Sequence, residues 1–184
     1  MNERTPLVVL GLGNVLLEDD GIGAAAVALL LERYEVPPGV RVLDGGTLGL
    51  SLLPYIDAAD ALILVDAIRA EGSPGSLVRL DGTEVAPAVA TRLSPHQVGV
   101  ADLLDGARWL GRLPKQLVLL GLVPESMDLV VGLSPRVQSQ LPALLERVVE
   151  EAHELGHVFR PKVAGSAKPG AGRALDVSRL AGMR

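Results

Sequence analysis

Apolar positions follow two alternating rhythms along the chain. Short aliphatic runs, Leu7–Leu10, Val40–Leu43, Ala61–Val65 and Gln116–Val123, read as buried strands. Between them lie longer stretches with helical spacing: Gly21–Tyr34, apolar nearly all round; the short Leu48–Ile56; a helix opened by Ser94 that runs to about Leu110; and Ser134–Leu155. The last has the clearest stripe, Leu141, Leu144, Leu145, Val148, Val149, Ala152 and Leu155, and Pro142 is expected to kink or restart it near its beginning. Ser73-Pro74-Gly75 turns the chain into an edge strand, Ser76–Leu80. Strands alternating with helices predict an α/β fold, a three-layer α/β/α sandwich on a mostly parallel twisted sheet of about five strands.

Composition narrows the class. The 184 residues suit one domain with a real core, expected over residues 1–161. Beyond it, Gly, Ala, Ser, Lys and Pro dominate, and 162–184 is expected to be a mobile tail. Aromatic residues are 2% of the chain, so aliphatic packing must supply the core. A net charge of −5 without a basic block argues against nucleic acid as a partner. The chain has no cysteine, which removes disulfides, thiolate metal sites and a thiol nucleophile. That and the lack of a signal pattern fit a cytoplasmic location. Ile22–Leu31 is too short to span a bilayer, and Asp60 and Asp66 interrupt the other long apolar stretch.

The candidate chemistry gathers where strands end. The loop after the first strand runs from Gly11 to Gly23, with glycine also at 13 and 21, and holds three consecutive acids, Glu18, Asp19 and Asp20. Glycines between a strand and a helix usually suggest a phosphate cradle, but three carboxylates repel phosphate and suit a hard or borderline cation. Asp20 has a simpler reading as the cap of the helix that follows. Asp66 comes straight after Leu62-Ile63-Leu64-Val65, where an ionised acid needs a partner or a capping role. His96 stands in Ser94-Pro95-His96-Gln97, a helix start with Ser94 at the N-cap, Pro95 at N1 and Gln97 completing a capping box. The helix dipole favours a neutral imidazole there, which is the metal-binding form; the alternative is a surface histidine in a capped first turn. In an open parallel sheet these strand ends share one edge, so Asp20 and Asp66 meet if their strands are neighbours.

A second motif, His153-Glu154-Leu155-Gly156-His157, spells the zincin pattern. Leu155 belongs to the core stripe, which turns Glu154 outward. Gly156 reads as a helix end, so His157 is expected to leave the helical register.

Taken in order, several segments resemble the hydrogenase maturation endopeptidases. They are Gly11-Leu12-Gly13-Asn14 with Asp19-Asp20-Gly21-Ile22-Gly23, Asp44-Gly45-Gly46-Thr47 with Gly49, Val65-Asp66-Ala67, Ser94-Pro95-His96-Gln97, and Gly121-Leu122-Val123-Pro124-Glu125. The resemblance spans roughly residues 7–157. It implies an endopeptidase that trims the C-terminus of the large subunit of a nickel–iron hydrogenase. It also implies a metal site built from Asp20, Asp66 and His96, with Asp19 or Glu18 as competitors for the first position. The nickel would be supplied by the large-subunit precursor, whose cysteines add the softer ligands, and Asp19 or Asp66 would be the carboxylate that takes a proton from water. Alternatives from other classes are a non-enzymatic nickel- or precursor-binding chaperone, a zinc protease using His153, Glu154 and His157, and a hydrolase of the peptidyl-tRNA type.

Overall fold

The computed structural model describes residues 4–90 and 96–163, with 90 and 96–100 described by backbone alone. The chain runs β1 (Thr5–Leu12), α1 (Ile22–Arg33), β2 (Tyr34–Glu35), β3 (Val40–Gly46), α2 (Leu53–Ala58), β4 (Ala59–Ala67), β5 (Leu77–Asp81), α3 (Val85–Ala90), α4 (His96–Trp109), β6 (Gln116–Leu122), α5 (Pro135–Glu154) and β7 (Arg160–Pro161). Five strands form one sheet in the order β3-β1-β4-β6-β5, parallel except for the edge strand β5.

The sheet is apolar on both faces because it is covered on both. Leu7, Val9, Ile63 and Leu120 pack under α1 and α5, against Ile22, Leu30, Leu144 and Val148. Val8, Leu10, Leu62 and Leu119 face the other way, against Ile56, Val85, Leu103 and Leu104 of α2, α3 and α4. This is why the strands read as continuous aliphatic runs rather than as alternating ones. A fully buried Leu or Ile contributes about 1.5–3 kcal/mol, so two such faces supply the core that the scarce aromatics do not.

Three features depart from the pattern predicted by the sequence. α5 is one continuous helix through Pro142, because its buried stripe of Leu141, Leu144, Leu145 and Val148 holds it to the sheet on either side of the lost hydrogen bond. α3 was not evident in the pattern, being six residues with Pro87 among them. A two-stranded antiparallel pair, β2 with β7, ties Arg160–Pro161 back to the end of α1; there Tyr34 and Phe159 meet edge to face at 6.5 Å. The segment 164–184 lies outside the described residues.

A buried ion-pair cluster joins α5 to the sheet edge. Glu151, 2% exposed, accepts from Arg79 Nε at 2.8 Å and Nη2 at 3.0 Å, and from Arg147 Nη2 at 2.5 Å. The hydrogen bond to Glu151 and then that to Asp81 hold the Arg79 guanidinium above its ordinary range.

From β1 the chain crosses to β3 on one side; from β3 it returns past β1 to β4. The direction of winding therefore reverses between β1 and β4, and the loops that leave their carboxyl ends diverge to open a crevice.

Candidate active site

β1 and β4 are hydrogen-bonded neighbours, with Gly11 opposite Val65. Asp66 is therefore one step beyond that pair, and the loop holding Asp20 starts beside it. Both carboxylates are buried, Asp20 at 0% and Asp66 at 2% exposure. Asp20 Oδ2 accepts the Asn14 backbone N–H at 2.9 Å, and Asp66 Oδ1 accepts that of Ala67 at 2.8 Å. Capping does not explain Asp20: the cap residue of α1 is Gly21, and no side chain caps it.

Two glycines make this approach possible. Gly13 has φ +121°, and a Cβ there would come 1.7 Å from the Asp20 carbonyl oxygen and 3.7 Å from Asp66 Oδ1. Gly23, in the first turn of α1, would bring a Cβ within 2.3 Å of the carbonyl oxygens of both Leu12 and Val65. The helix thus sits directly on the join between β1 and β4. The glycine spacing of the loop serves helix-to-sheet contact.

Asp19 has a different task from Asp20. It is also 0% exposed, but its carboxylate accepts four hydrogen bonds from a segment more than a hundred positions away. Oδ2 takes the backbone N–H of Glu125 at 2.8 Å, that of Ser126 at 3.1 Å and the Ser134 hydroxyl at 2.9 Å; Oδ1 takes the Ser134 N–H at 2.7 Å. Ser134 is in turn the N-cap of α5, its Oγ accepting from Val137 N. These four bonds make Asp19 the tie between the acidic loop and the segment 125–134. Glu18 is half-buried at φ 42°, with its N–H donated to the Val130 carbonyl at 2.8 Å.

The segment held by Asp19 carries exposed aliphatic side chains that the sequence pattern did not single out. Leu129 is 81% exposed, Val130 51% and Val131 75%, close to Val15 and Leu16 at 50% and 51%. Of these, Val131 and Val15 line a groove of about 360 Å³, together with Glu18, Ala24, Ala28 and Asp44, among others. Its charged side chains are both acidic. The signal was present in Leu129-Val130-Val131, three aliphatics with no strand partner, but it is visible only once the preceding strand is seen to end at Leu122.

α4 is described from His96 onward; Ser94 and Pro95, the expected N-cap and first helical residue, lie outside the described residues. Among the described residues no group of three or more His, Asp and Glu side chains could hold a metal ion. That bears directly on the zincin pattern. α5 ends at Glu154, Gly156 takes φ 88°, and the His157 N–H bonds back to the Ala152 carbonyl at 2.8 Å. His157 therefore leaves the helix, while Glu154 pairs with Arg147 at 3.3 Å on the exposed face. The zinc-protease reading of His153, Glu154 and His157 is overturned by this helix end.

Comparison with known proteins agrees with this architecture. Residues 25–151, a span that includes Asp66 and His96, match the family model for hydrogenase maturation proteases. The chain is 40% identical over 159 residues to the hydrogenase 2 maturation protease of Escherichia coli K12, covering 86% of this chain and 97% of that one. It is 38% identical to the hydrogenase expression/formation protein HoxM of Azotobacter vinelandii, over 95% of this chain and 80% of the other. Among solved structures, the hydrogenase maturating endopeptidase HybD from E. coli superposes with a TM-score of 0.82 at 39% identity, covering 85% of this chain and 98% of that one. HybD from Thermococcus kodakarensis superposes with a TM-score of 0.66 at 27% identity, over 80% and 99%. With its sheet order, its acidic crevice and these relatives together, the chain belongs to the hydrogenase maturation proteases, a family of peptide-bond hydrolases.

Proposed function

We propose that this protein is a cytoplasmic endopeptidase that recognises the nickel-loaded large-subunit precursor of a nickel–iron hydrogenase and removes its C-terminal extension. Asp20, Asp66 and His96 would reach the nickel that arrives in the precursor, which makes the ion part of the substrate. The observation that supports this most is the burial of two acids at the carboxyl edge of neighbouring strands: Asp66, near the end of β4, and Asp20, in the loop that leaves β1, whose Gly13 packs against the Asp20 backbone and beside the Asp66 carboxylate. Buried carboxylates are kept where they are paired or where they coordinate metal.

The path of the chain supports adding His96. α4 ends at Trp109, shortly before β6 begins at Gln116. Its 14 residues span about 21 Å at 1.5 Å each. A helix that enters β6 from its C-terminal end has its first turn toward the opposite, carboxyl edge of the sheet. Two carboxylates and one imidazole leave coordination positions open, and without a thiolate they bind a metal weakly on their own. A precursor without nickel then offers the site little to hold, which gives the reaction its order: metal first, cleavage second.

In this reading the three side chains hold the metal centre of the precursor so that the adjacent peptide bond lies in the crevice. The nickel, as part of the substrate, supplies charge that polarises the scissile carbonyl or acidifies a bound water. A carboxylate of the Asp20–Asp66 pair takes the proton of the attacking water, and the departing amine gains a proton as the C–N bond breaks. Asp19 is left out of that step, because its carboxylate already accepts four hydrogen bonds from Glu125, Ser126 and Ser134.

The test is to mix the purified protein with its large-subunit precursor in nickel-loaded and nickel-free forms and to read the product mass. Shortening of the loaded form alone is expected. Stable binding with no shortened product would reassign the protein as a chaperone.

A further inference from the structure

We infer that Asp19 is a positioning residue for substrate docking: it fastens the segment from Glu125 to Ser134 onto the acidic loop and so builds one wall of the groove that receives the precursor chain. This inference rests on the proposed function and adds a division of labour within it. Asp20 and Asp66 would serve the chemical step, while their neighbour Asp19 would serve binding.

The hydrogen bonds support that division. All four donors on the Asp19 carboxylate come from Glu125, Ser126 and Ser134, the two ends of one segment. Two main-chain bonds continue the attachment: Asp19 N–H to the Ser126 carbonyl at 3.3 Å, and Glu18 N–H to the Val130 carbonyl at 2.8 Å. Between those ends, Leu129 and Val131 stand 81% and 75% exposed. Exposing consecutive aliphatics costs solubility unless a partner covers them. Removing the Asp19 charge would release both ends of the segment at once, with four donors left facing an amide or a methyl group.

The occupant is an extended stretch of the precursor next to the scissile bond, with apolar side chains and a basic group. Aliphatic walls from Val15, Ala24, Ala28 and Val131 call for the first, and Glu18 with Asp44, the acids lining the groove, calls for the second. Glu18 is also held in the left-handed region at φ 42°, so its side-chain direction depends on the same attachment.

The test is steady-state processing of the nickel-loaded precursor by wild type, by Asp19→Asn and by Val15→Ser/Val131→Ser, which changes two exposed side chains that line the groove. The double variant alters exposed side chains and leaves the clamp intact, so it reads the wall without a burden on folding. Both variants are expected to raise KM by about tenfold or more with kcat within about threefold. Hydrogen exchange at the amides of Glu125, Ser126 and Ser134 is expected to quicken in Asp19→Asn and stay unchanged in the double variant. Wild type that leaves the precursor intact would fail the proposed function. Wild type that cleaves, with the double variant at an unchanged KM or with the loss confined to kcat, would overturn the docking role alone.

Discussion

Gly13 stands so close to Asp66 that a methyl group on it would lie 3.7 Å from Asp66 Oδ1, and the same methyl would overlap the Asp20 carbonyl oxygen at 1.7 Å. This one missing side chain lets the turn after β1 pack against the Asp20 backbone and beside the Asp66 carboxylate. Gly13→Ala is expected to abolish processing and to destabilise the fold by about 2–4 kcal/mol, from a left-handed backbone and a forced displacement of the acidic loop. Thermal unfolding together with product mass measures both.

The acids themselves are expected to separate activity from stability. Asp66→Asn keeps the shape and the contact with the Ala67 N–H but removes the charge. Its processing rate is expected to fall by about a hundredfold or more, the usual scale for a general base or a transition-state ligand. Single-turnover kinetics on the loaded precursor reads this. A variant within twofold of wild type would exclude Asp66 from the chemistry.

The cluster at the other end of the molecule is structural. Glu151→Ala leaves Arg79 and Arg147 without their shared acceptor, at 34% and 20% side-chain exposure. Because both can turn toward water, the expected loss is about 2–3 kcal/mol, below that of a fully buried broken pair. The guanidinium of Arg79 is raised, so its contribution is complete below its unfolded-state pKa and is lost only as pH climbs through the folded one. Both lie above the alkaline range of a stability assay. The difference between wild type and Glu151→Ala is therefore expected to be the same at pH 7 and pH 10 by chemical denaturation.

The zincin pattern gives a negative control. His153→Ala and His157→Ala, singly or together, are expected to leave processing within about twofold of wild type, because α5 ends between them. Loss of activity or of bound zinc in either variant would restore that reading.

The parts of the fold that depend on local periodicity were legible in the chain itself. The aliphatic runs of β1, β4 and β6 and the stripe of α5 determine the three layers, because each hydrophobic face must find cover. The edge strand, expected over Ser76–Leu80 and found at Leu77–Asp81, followed from the turn before it. What the sequence left open depended on distant contacts. Glu18, Asp19 and Asp20 are equivalent by composition, and only the segment 125–134 shows that Asp19 is a clamp. Pro142 looked like a break because the hydrogen-bond loss is local, whereas the packing that offsets it is not. The docking wall at Val131 looked like ordinary loop until its exposure and its place in the groove were known.

The most direct test of the proposed site is the fate of the nickel-loaded precursor when mixed with Asp20→Asn or His96→Ala protein, followed by mass spectrometry. The account predicts that wild type yields the shortened large subunit while both variants leave the extension in place. Cleavage at the wild-type rate by both variants would contradict it.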